Sequence, residues 1–385
     1  MKNVVIAGYA RSPFHFAHKG LLAKVRPDDL AAQVVRGLID RTGVNVDDIE
    51  DLILGCAFPE GEQGLNMARL VVLMAGLPIS VAGTTINRFC GSSMQSIHNA
   101  AGAIQMNAGE VFICAGVESM SRVTMGGFNP MPNPALLESN PAAYISMGET
   151  AENVGKEFNI GREEQEQFAV LSQQKAADAQ SQGKLEQEIV PIQMNGLTVD
   201  TDGCLRPGTS AEDLAGLKLA FDENGSVTAG TSSPLTDGAA ATLVCSETYA
   251  QENGLEPIAR IKSIAVSGCK PETMGLGPIF ASRKALARAE QLARTQAGSA
   301  ARVDEAQHAQ HAQTLAIANR RRAINDHNPR LAQLRARQQR AKALHDQVRN
   351  DLERTAVRAL APGKVTAVHV SPGDRVRAGD QLVDV

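Results

Sequence analysis

The sequence predicts a layered α/β fold for residues 1–269, joined to a tail of a different kind. Short apolar runs alternate with helical segments along the first 118 residues, which is the pattern of strands and helices stacked in layers. The hydrophobic share of 43% and the charged share of 21% are typical of a protein with a packed core. Since helices follow the strands, we expect the strands to pair in parallel.

The predicted strands are short apolar runs bounded by glycine, proline or polar residues. In chain order they cover residues 3–7, 51–57, 84–87, 111–116, 227–229, 240–245 and 260–267. The predicted helices carry apolar residues at spacings of three and four, as at Leu30, Val34 and Leu38. They cover residues 27–42, 66–75, 93–108, 162–182 and a short segment that ends at residue 289. Residues 119–225 are rich in Met, Pro, Asn and Gly, and we interpret them as a loop region that carries binding residues.

The 385-residue chain changes in composition near residue 290. All 6 Cys, 11 Met, 10 Phe and 3 Tyr lie at or before Phe280. Residues 291–385 hold 16 Lys and Arg against 9 Asp and Glu, whereas the residues before them hold 22 against 33. One compact domain gives no physical reason for such a change. We therefore expect two kinds of sequence to be joined between residues 285 and 295.

The tail is predicted to form a helical hairpin over residues 291–357. Apolar residues recur at spacings of seven in two sets, Ile317, Ile324 and Leu331, then Leu334, Ala341 and Val348. This spacing is typical of a coiled coil. Asn328 and Pro329 have the residue types of a helix start, so the second arm is predicted to begin there. Residues 358–385 alternate with a period of two around a Ser-Pro-Gly-Asp turn, which predicts a short β segment.

Composition argues against several classes of function. No apolar run approaches the roughly 18–20 residues that cross a bilayer, and we interpret the N-terminus as a buried strand and not as a secretory signal. The net charge of -4 argues against a nucleic-acid partner, and the arginines at 320–322 are interpreted as a solvated helix face. The six cysteines form no Cys-x-x-Cys pair, so we expect no metal site and a reduced, cytoplasmic setting.

Cys90 is the candidate nucleophile. It follows a predicted strand and opens a predicted helix, so its thiol feels the positive end of the helix dipole and several unpaired amides. Gly91 beside it allows the close approach of a ligand. From the residues alone, the alternative is a small buried hydrophobic side chain, which is the commoner role of cysteine.

Five segments follow one another in an order that identifies a family. They are Asn-Arg-Phe-Cys-Gly-Ser-Ser-Met-Gln at 87–95, Gly-Val-Glu-Ser-Met-Ser at 116–121, Met-Gly-Glu-Thr-Ala-Glu-Asn at 147–153, Val-Thr-Ala-Gly at 227–230 with Asp-Gly-Ala-Ala-Ala at 237–241, and Met-Gly-Leu-Gly-Pro at 274–278. Together they resemble the thiolases, which are acyl-CoA acyltransferases. The resemblance covers about 290 residues. It implies a thiolase N-terminal domain at 1–269, with 119–225 as its loop region, and the truncated start of a C-terminal domain at 270–290.

The resemblance implies roles for five residues. Cys90 would accept the acyl group, and Met147 would line the acyl pocket. Arg206 would meet the nucleotide end of coenzyme A, while Phe221 and Ser233 would lie along its pantetheine arm. An ordinary exposed loop arginine is the alternative for Arg206. The resemblance also implies that coenzyme A and acyl-CoA are substrates and that no cofactor is permanently bound. It further implies that the thiolase part forms a homo-oligomer.

Two departures from the family pattern favour one branch of it. Ser146 stands where some members have a histidine, and Thr231-Ser232-Ser233 replaces an Asn-containing version. The resemblance therefore favours the 3-ketoacyl-CoA thiolases of fatty-acid degradation.

Part of the family pattern is missing after residue 289. The resemblance implies an Asn-Glu-Ala-Phe segment, a Gly-His-Pro segment with the base that activates the nucleophile, and a Cys-x-Gly-Gly-Gly segment with a second cysteine. The sequence contains none of them. His98 lies eight residues beyond Cys90, about 12 Å along a helix, and we do not expect it to be the base. The expected function is therefore an impaired acyltransferase.

The tail resembles a second family. Residues 352–359 and 363–374 are similar to the periplasmic adaptor (membrane fusion) proteins of secretion and efflux systems, in which a helical hairpin leads into half of a lipoyl-like β-domain. Lys364 precedes a strand and does not occupy a hairpin tip, so no swinging-arm carrier is expected. The alternative function is a non-enzymatic chimeric protein whose tail is an interaction module, and the third is a fusion with no evolved function.

Overall fold

The computed structural model describes residues 2–296, 335–349, 363–371, 375, 377 and 379–384. The chain divides into two compact units, Met1–Leu292 and Ala293–Val385. No helix among these residues has both the length and the apolar character needed to cross a membrane.

The described residues 2–296 contain nine strands and nine α-helices. The strands are β1 (Val4–Arg11), β2 (His15–Phe16), β3 (Asp51–Gly55), β4 (Ala82–Ile86), β5 (Val111–Ser119), β6 (Ile192–Met194), β7 (Leu197–Val199), β8 (Thr236–Ser246) and β9 (Ala259–Ile261). The helices are α1 (Pro27–Thr42), α2 (Met67–Met74), α3 (Ser92–Gln105), α4 (Pro134–Ser139), α5 (Met147–Phe158), α6 (Arg162–Ser181), α7 (Ala211–Ala215), α8 (Glu247–Glu252) and α9 (Gly277–Gln296). This is the mixed α/β architecture that the sequence predicts.

The main sheet is mixed, which corrects the predicted parallel pairing. Its order is β4-β3-β5-β8-β1-β9, with β2 paired to β8. Strand β3 is parallel to β4 and β5, whereas β8 is antiparallel to both β5 and β1. Short crossovers through α2 and α3 bring the chain back to the same end of the sheet, which forces parallel pairing. Residues 120–235 form a much longer connection between β5 and β8, so the chain is free to return from the other end.

Helices cover both faces of this sheet, and the alternation along the strands decides what each face contacts. Leu52 and Leu54 of β3 belong to the larger core, which α1 and α2 complete. Ile53 between them points to the opposite face and joins a smaller cluster with Ala100 and Ile104 of α3. Side chains of successive strand residues point to opposite faces, so one strand supplies both cores.

The region between β5 and β8 is more ordered than predicted. The sequence predicts one helix there, and α6 confirms it, but α4, α5, α7 and the β6-β7 hairpin are also present. Helix α5 begins with a capping box in which Ser146 and Glu149 satisfy each other's backbone amides. The Ser-x-x-Glu pattern was visible in the sequence and could have identified this helix.

Three other element predictions need correction. Residues 227–229 are not a strand, since only an isolated bridge joins Leu219 to Thr228. The strand predicted at 260–267 is only β9, because β9 pairs with β1 and β1 has no strand residue before Val4 to oppose residues beyond Ile261. Helix α9 extends past the predicted end at residue 289 to Gln296. Good helix formers (Ala, Leu, Arg and Gln) occupy this stretch on both sides of the change in composition.

The second unit contains a helix α10 at 335–349 and two short strands, β10 (Ala367–Val368) and β11 (Val383–Asp384). The strands pair antiparallel, with Ala367 opposite Asp384 and Val368 opposite Val383. The arm predicted to contain Ile317 and Ile324, the helix start at Asn328-Pro329 and most of the Ser-Pro-Gly-Asp turn lie outside the described residues. The helical hairpin at 291–357 and the lipoyl-like segment at 358–385 stay predictions.

Candidate active site

Two glycines at the ends of parallel strands set the position of the site. Gly55 of β3 and Gly116 of β5 lie opposite each other in the sheet register. A Cβ atom on Gly55 would lie 2.4 Å from the Ser92 carbonyl carbon, and one on Gly116 would lie 1.8 Å from Ser93 Oγ. Helix α3 therefore begins directly on this bare patch of sheet. The carboxyl edge of parallel strands, where the patch lies, is where α/β proteins commonly bind ligands.

Cys90 lies at the start of α3, as predicted. It is exposed, and it occupies a 3₁₀ turn at Phe89–Gly91 that leads directly into the helix. The positive end of the helix dipole lies beside it, while the Gly91 and Ser92 amides donate to the Arg88 and Phe89 carbonyls. An exposed thiol at the start of a helix is a typical setting of reactive cysteines.

Four of the other five cysteines are less exposed than Cys90. Burial raises the pKa of Cys56 to about 12, helped by the neighbouring carboxylate of Glu118, and burial also raises the pKa of Cys114. Burial raises the pKa of Cys204 and of Cys245 to about 11. These four thiols stay protonated near neutral pH. Apart from Cys90, the exposed thiol is that of Cys269.

A second part of the site is an apolar groove of about 380 Å³. Its lining includes Met147, Thr150, Ala151, Val154, Val227, Thr231 and Met274. Helix α5 supplies one wall, and the buried Glu152 carboxylate of that helix accepts hydrogen bonds from the backbone amides of Ser226 and Val227. This contact fixes the two walls of the groove relative to each other.

The structure brings Met147 and Phe221 together. Met147 is the first residue of α5 and is 46% exposed at the groove. The ring of Phe221 lies on Gly148, where a Cβ atom would be 2.1 Å from the ring, and it stays 45% exposed. An apolar ligand in the groove would therefore meet the Met147 thioether, and Phe221 packs on the residue that follows Met147.

Arg206 and Ser233 are both exposed, and the structure places them differently. Ser233 follows two residues after Thr231, which lines the groove. Arg206 instead places its guanidinium over the ring of Phe16, 5.3 Å from the ring centre, while its backbone amide donates to Gln173. Within the described residues no carboxylate pairs with its guanidinium, so its charge remains available to an anion.

The histidines of this unit make their contacts away from the Cys90 thiol in the described residues. Burial, and then the positive charge of Arg88, lower the pKa of His98 on α3. Burial likewise lowers the pKa of His15, whose Nε2 lies 3.0 Å from the Thr201 carbonyl oxygen. Within the described part of the chain, no hydrogen bond joins an imidazole to the Cys90 thiol, and no group of His, Cys, Asp and Glu side chains could hold a metal ion.

The sequence was compared with protein families and with known proteins. Residues 4–248 match the family described as thiolase, N-terminal domain. The chain is 45% identical over 299 residues to a 3-ketoacyl-CoA thiolase of Bacillus subtilis (strain 168), covering 74% of this chain and 76% of that protein. It is 47% identical over 295 residues to a 3-ketoacyl-CoA thiolase of Marinomonas sp. (strain MWYL1), with 74% and 75% covered. A 3-ketoacyl-CoA thiolase of Aliivibrio fischeri is 47% identical over 296 residues, with 75% and 76% covered.

Proposed function

This chain belongs to the thiolase family, and from that premise we propose that it transfers acyl groups between coenzyme A thioesters and Cys90. The observation that carries the proposal is the exposed Cys90 thiol at the first turn of α3, on the carboxyl edge of the parallel strands. The adaptor-like alternative for the tail has no comparable support in the described residues.

The proposed substrates are 3-ketoacyl-CoA and coenzyme A, as for the relatives. In thiolytic cleavage the Cys90 thiolate attacks the 3-carbonyl carbon, and the bond between C2 and C3 breaks. The electron pair stays on C2, which takes up a proton and leaves as acetyl-CoA. The acyl group then moves from the Cys90 sulfur to the thiol of a second coenzyme A, and the reverse sequence is the condensation.

The groove supplies the proposed binding contacts. Met147 would contact the acyl chain, because it is apolar and half exposed in the groove. Phe221 would contact the pantetheine arm, because its half-exposed ring lies on Gly148 beside Met147. Ser233 would offer a hydroxyl to the arm, and Arg206 would pair with a phosphate of the nucleotide end, for which a guanidinium is well suited. Coenzyme A is thus a substrate here, and the proposed setting is the reduced cytoplasm.

Acyl transfer between coenzyme A and Cys90 can be tested without the step that breaks the carbon–carbon bond. Purified protein is incubated with acetyl-CoA, and peptide mapping by mass spectrometry locates the acetyl group while free coenzyme A is measured. We expect one acetyl group on Cys90, removable by hydroxylamine as a thioester is. Cys269→Ala serves as the matched control, because Cys269 is the other exposed thiol. Acetylation that persists in Cys90→Ala, or that resides on Cys269, would contradict the proposal.

Complete turnover is proposed to be slow. The residues after Ala289 contain neither the Gly-His-Pro segment nor the second cysteine segment that the family pattern implies. Proton transfer to C2 and deprotonation of the thiol then have no acid or base from those segments. The position of Cys90 at the start of α3 does not depend on those segments.

A further inference from the structure

The backbone immediately before Cys90 is strained. Phe89 has φ of 45°, in the left-handed region that bulky L residues avoid. Its ring is 63% exposed and contacts only one other aromatic ring in the described residues, that of Phe58 at 5.9 Å, so burial does not explain the strain. Strain of this kind persists only where neighbouring groups over-determine the conformation, and it is concentrated at functional sites.

Two polar side chains hold the strained peptide. Asn87 Oδ1 accepts a hydrogen bond of 2.7 Å from the Phe89 amide, and Asn87 Nδ2 donates to the Ala57 carbonyl at 2.8 Å. The Ser92 hydroxyl accepts from the Arg88 amide at 2.8 Å and donates to the Phe89 carbonyl at 2.7 Å. The two side chains therefore bond to the amides of Arg88 and Phe89 and to the carbonyl of Phe89.

Ser92 is the more constrained of the two. It is buried, and its Cβ lies 2.8 Å from the position that a Cβ on Gly55 would occupy, so it is packed against the end of β3. A hydroxyl can donate and accept at once, which both of its hydrogen bonds require. Asn87, in contrast, is exposed.

We propose that Ser92 is the positioning residue of the Cys90 nucleophile, with Asn87 as its exposed counterpart. The Ser92 hydroxyl holds Phe89 in its left-handed conformation. This conformation presents the Cys90 thiol at the start of α3, on the open edge of the sheet. Ser92 acts through the backbone and touches no substrate. The inference rests on the proposed role of Cys90 and adds to it the reason why that thiol is presented.

Ser96 offers a matched control on the same helix. It is buried like Ser92, and its hydroxyl also donates to a backbone carbonyl three residues earlier, that of Ser93, at 2.7 Å. It makes no hydrogen bond to residues 87–90. Ser96→Ala thus removes an equally buried hydroxyl without loosening the strained peptide.

The test measures the rate at which iodoacetamide alkylates Cys90 in the full chain. The parent protein is compared with the variants Ser92→Ala, Ser96→Ala and Asn87→Ala. We expect Ser92→Ala to slow the reaction at neutral pH about tenfold, as the loss of one or two net hydrogen bonds implies. It should slow the anionic reagent iodoacetate more than the neutral iodoacetamide, because the thiol leaves the positive end of the helix. Ser96→Ala should match the parent in both respects, and the melting temperatures of the two variants should be similar.

Asn87→Ala keeps the proposal testable if Ser92→Ala does not fold, since Asn87 is exposed. It should slow alkylation in the same direction. Unchanged rates with both reagents in both Ser92→Ala and Asn87→Ala would overturn the proposal, and so would an equal loss in Ser96→Ala. Alkylation needs no acyl-CoA. Failure of acetyl transfer in the preceding experiment would therefore refute the proposed function without changing this result.

Discussion

At the scale of single residues, the thiols should differ sharply in reactivity. We expect Cys90 to be the fastest of the six to react with limiting iodoacetamide at neutral pH, because it combines exposure with a helix start. Cys269 is also exposed but precedes only a short 3₁₀ segment, Pro271–Leu276. Peptide mapping after partial alkylation gives the ranking. Faster labelling of Cys269, or of Cys56 with its pKa raised to about 12 by burial, would remove the physical support for the nucleophile.

A second residue-scale prediction concerns the bare patch under α3. Gly116→Ala should destabilise the fold by about 1–3 kcal/mol and slow Cys90 alkylation, because its new Cβ would lie 1.8 Å from Ser93 Oγ and push the helix start away. Gly102→Ala is the control on α3, since nothing lies within 4 Å of the added atom. It should be neutral or stabilising by up to about 1 kcal/mol, as expected for Ala against Gly in a helix. Urea denaturation of both variants measures the difference, and equal effects would refute the argument.

The sequence allowed the site to be predicted where its determinants are local. Cys90 opens a helix within one continuous motif, so its exposure could be anticipated. The constraint on Phe89 could not be anticipated, because Asn87 and Ser92, which hold it, are themselves fixed by Ala57 and Gly55. Gly55 ends β3 and Ala57 follows it, about thirty residues earlier in the chain. Which glycines support α3 depends on the register of β3 and β5, and no local pattern specifies that register.

At the scale of elements, a similar limit applies. The amphipathic helix α1 was predicted with both of its ends, because its apolar stripe lies within one segment. The antiparallel position of β8 was missed because it depends on how residues 120–235 return to the sheet. Helix α5 was missed although its capping box was visible at Ser146 and Glu149. An Asn-, Met- and Gly-rich composition therefore concealed an element that the groove requires.

An element-scale prediction concerns the ion pairs that connect the turn before α2 to the chain after β5. Glu62 accepts hydrogen bonds from Arg122 and also pairs with Arg26, and the Arg122 contact lowers the pKa of Glu62 below its usual range. A carboxylate with a lowered pKa stabilises the fold at pH values above the ordinary pKa of Glu. This stabilisation is lost as pH falls through the lowered pKa. Because the groups are partly exposed, the contribution is at most about 1 kcal/mol.

Glu62→Gln should therefore lower the free energy of unfolding more at neutral pH than at acidic pH, because the stabilisation by the parent carboxylate is lost as pH falls through the lowered pKa of Glu62. Urea denaturation at both pH values gives the comparison. Exposed Glu252 on α8 forms no ion pair within the described ranges, so Glu252→Gln should show no such pH-dependent difference. A penalty that is the same at both pH values in Glu62→Gln would contradict the assignment.

At the scale of the whole molecule, the first unit exposes large apolar side chains. Ile79 is 77% exposed and Met106, after the end of α3, is 79% exposed. The removal of such apolar surface from water favours association. We therefore expect the protein to self-associate or to need a partner, with association that increases with concentration in sedimentation velocity. Ile79→Gln combined with Met106→Gln should weaken it. A soluble monomer that melts cooperatively at all concentrations would refute this prediction.

The last prediction concerns turnover by the whole chain. The loss of a positioned acid or base typically costs about 10²–10⁴ in rate, and the loss of an oxyanion donor about 10²–10³. The residues after Ala289 lack the segments that the family pattern assigns to these tasks. With 3-ketoacyl-CoA and coenzyme A, this protein should therefore turn over at least about 10³-fold more slowly than the Bacillus subtilis relative under the same conditions. Cys90→Ala, purified in parallel, measures any contaminating thiolase. Equal turnover by this protein and the relative would mean that another residue, such as His98, supplies the base, and the two-step argument for an acyl-accepting but slow enzyme would be wrong.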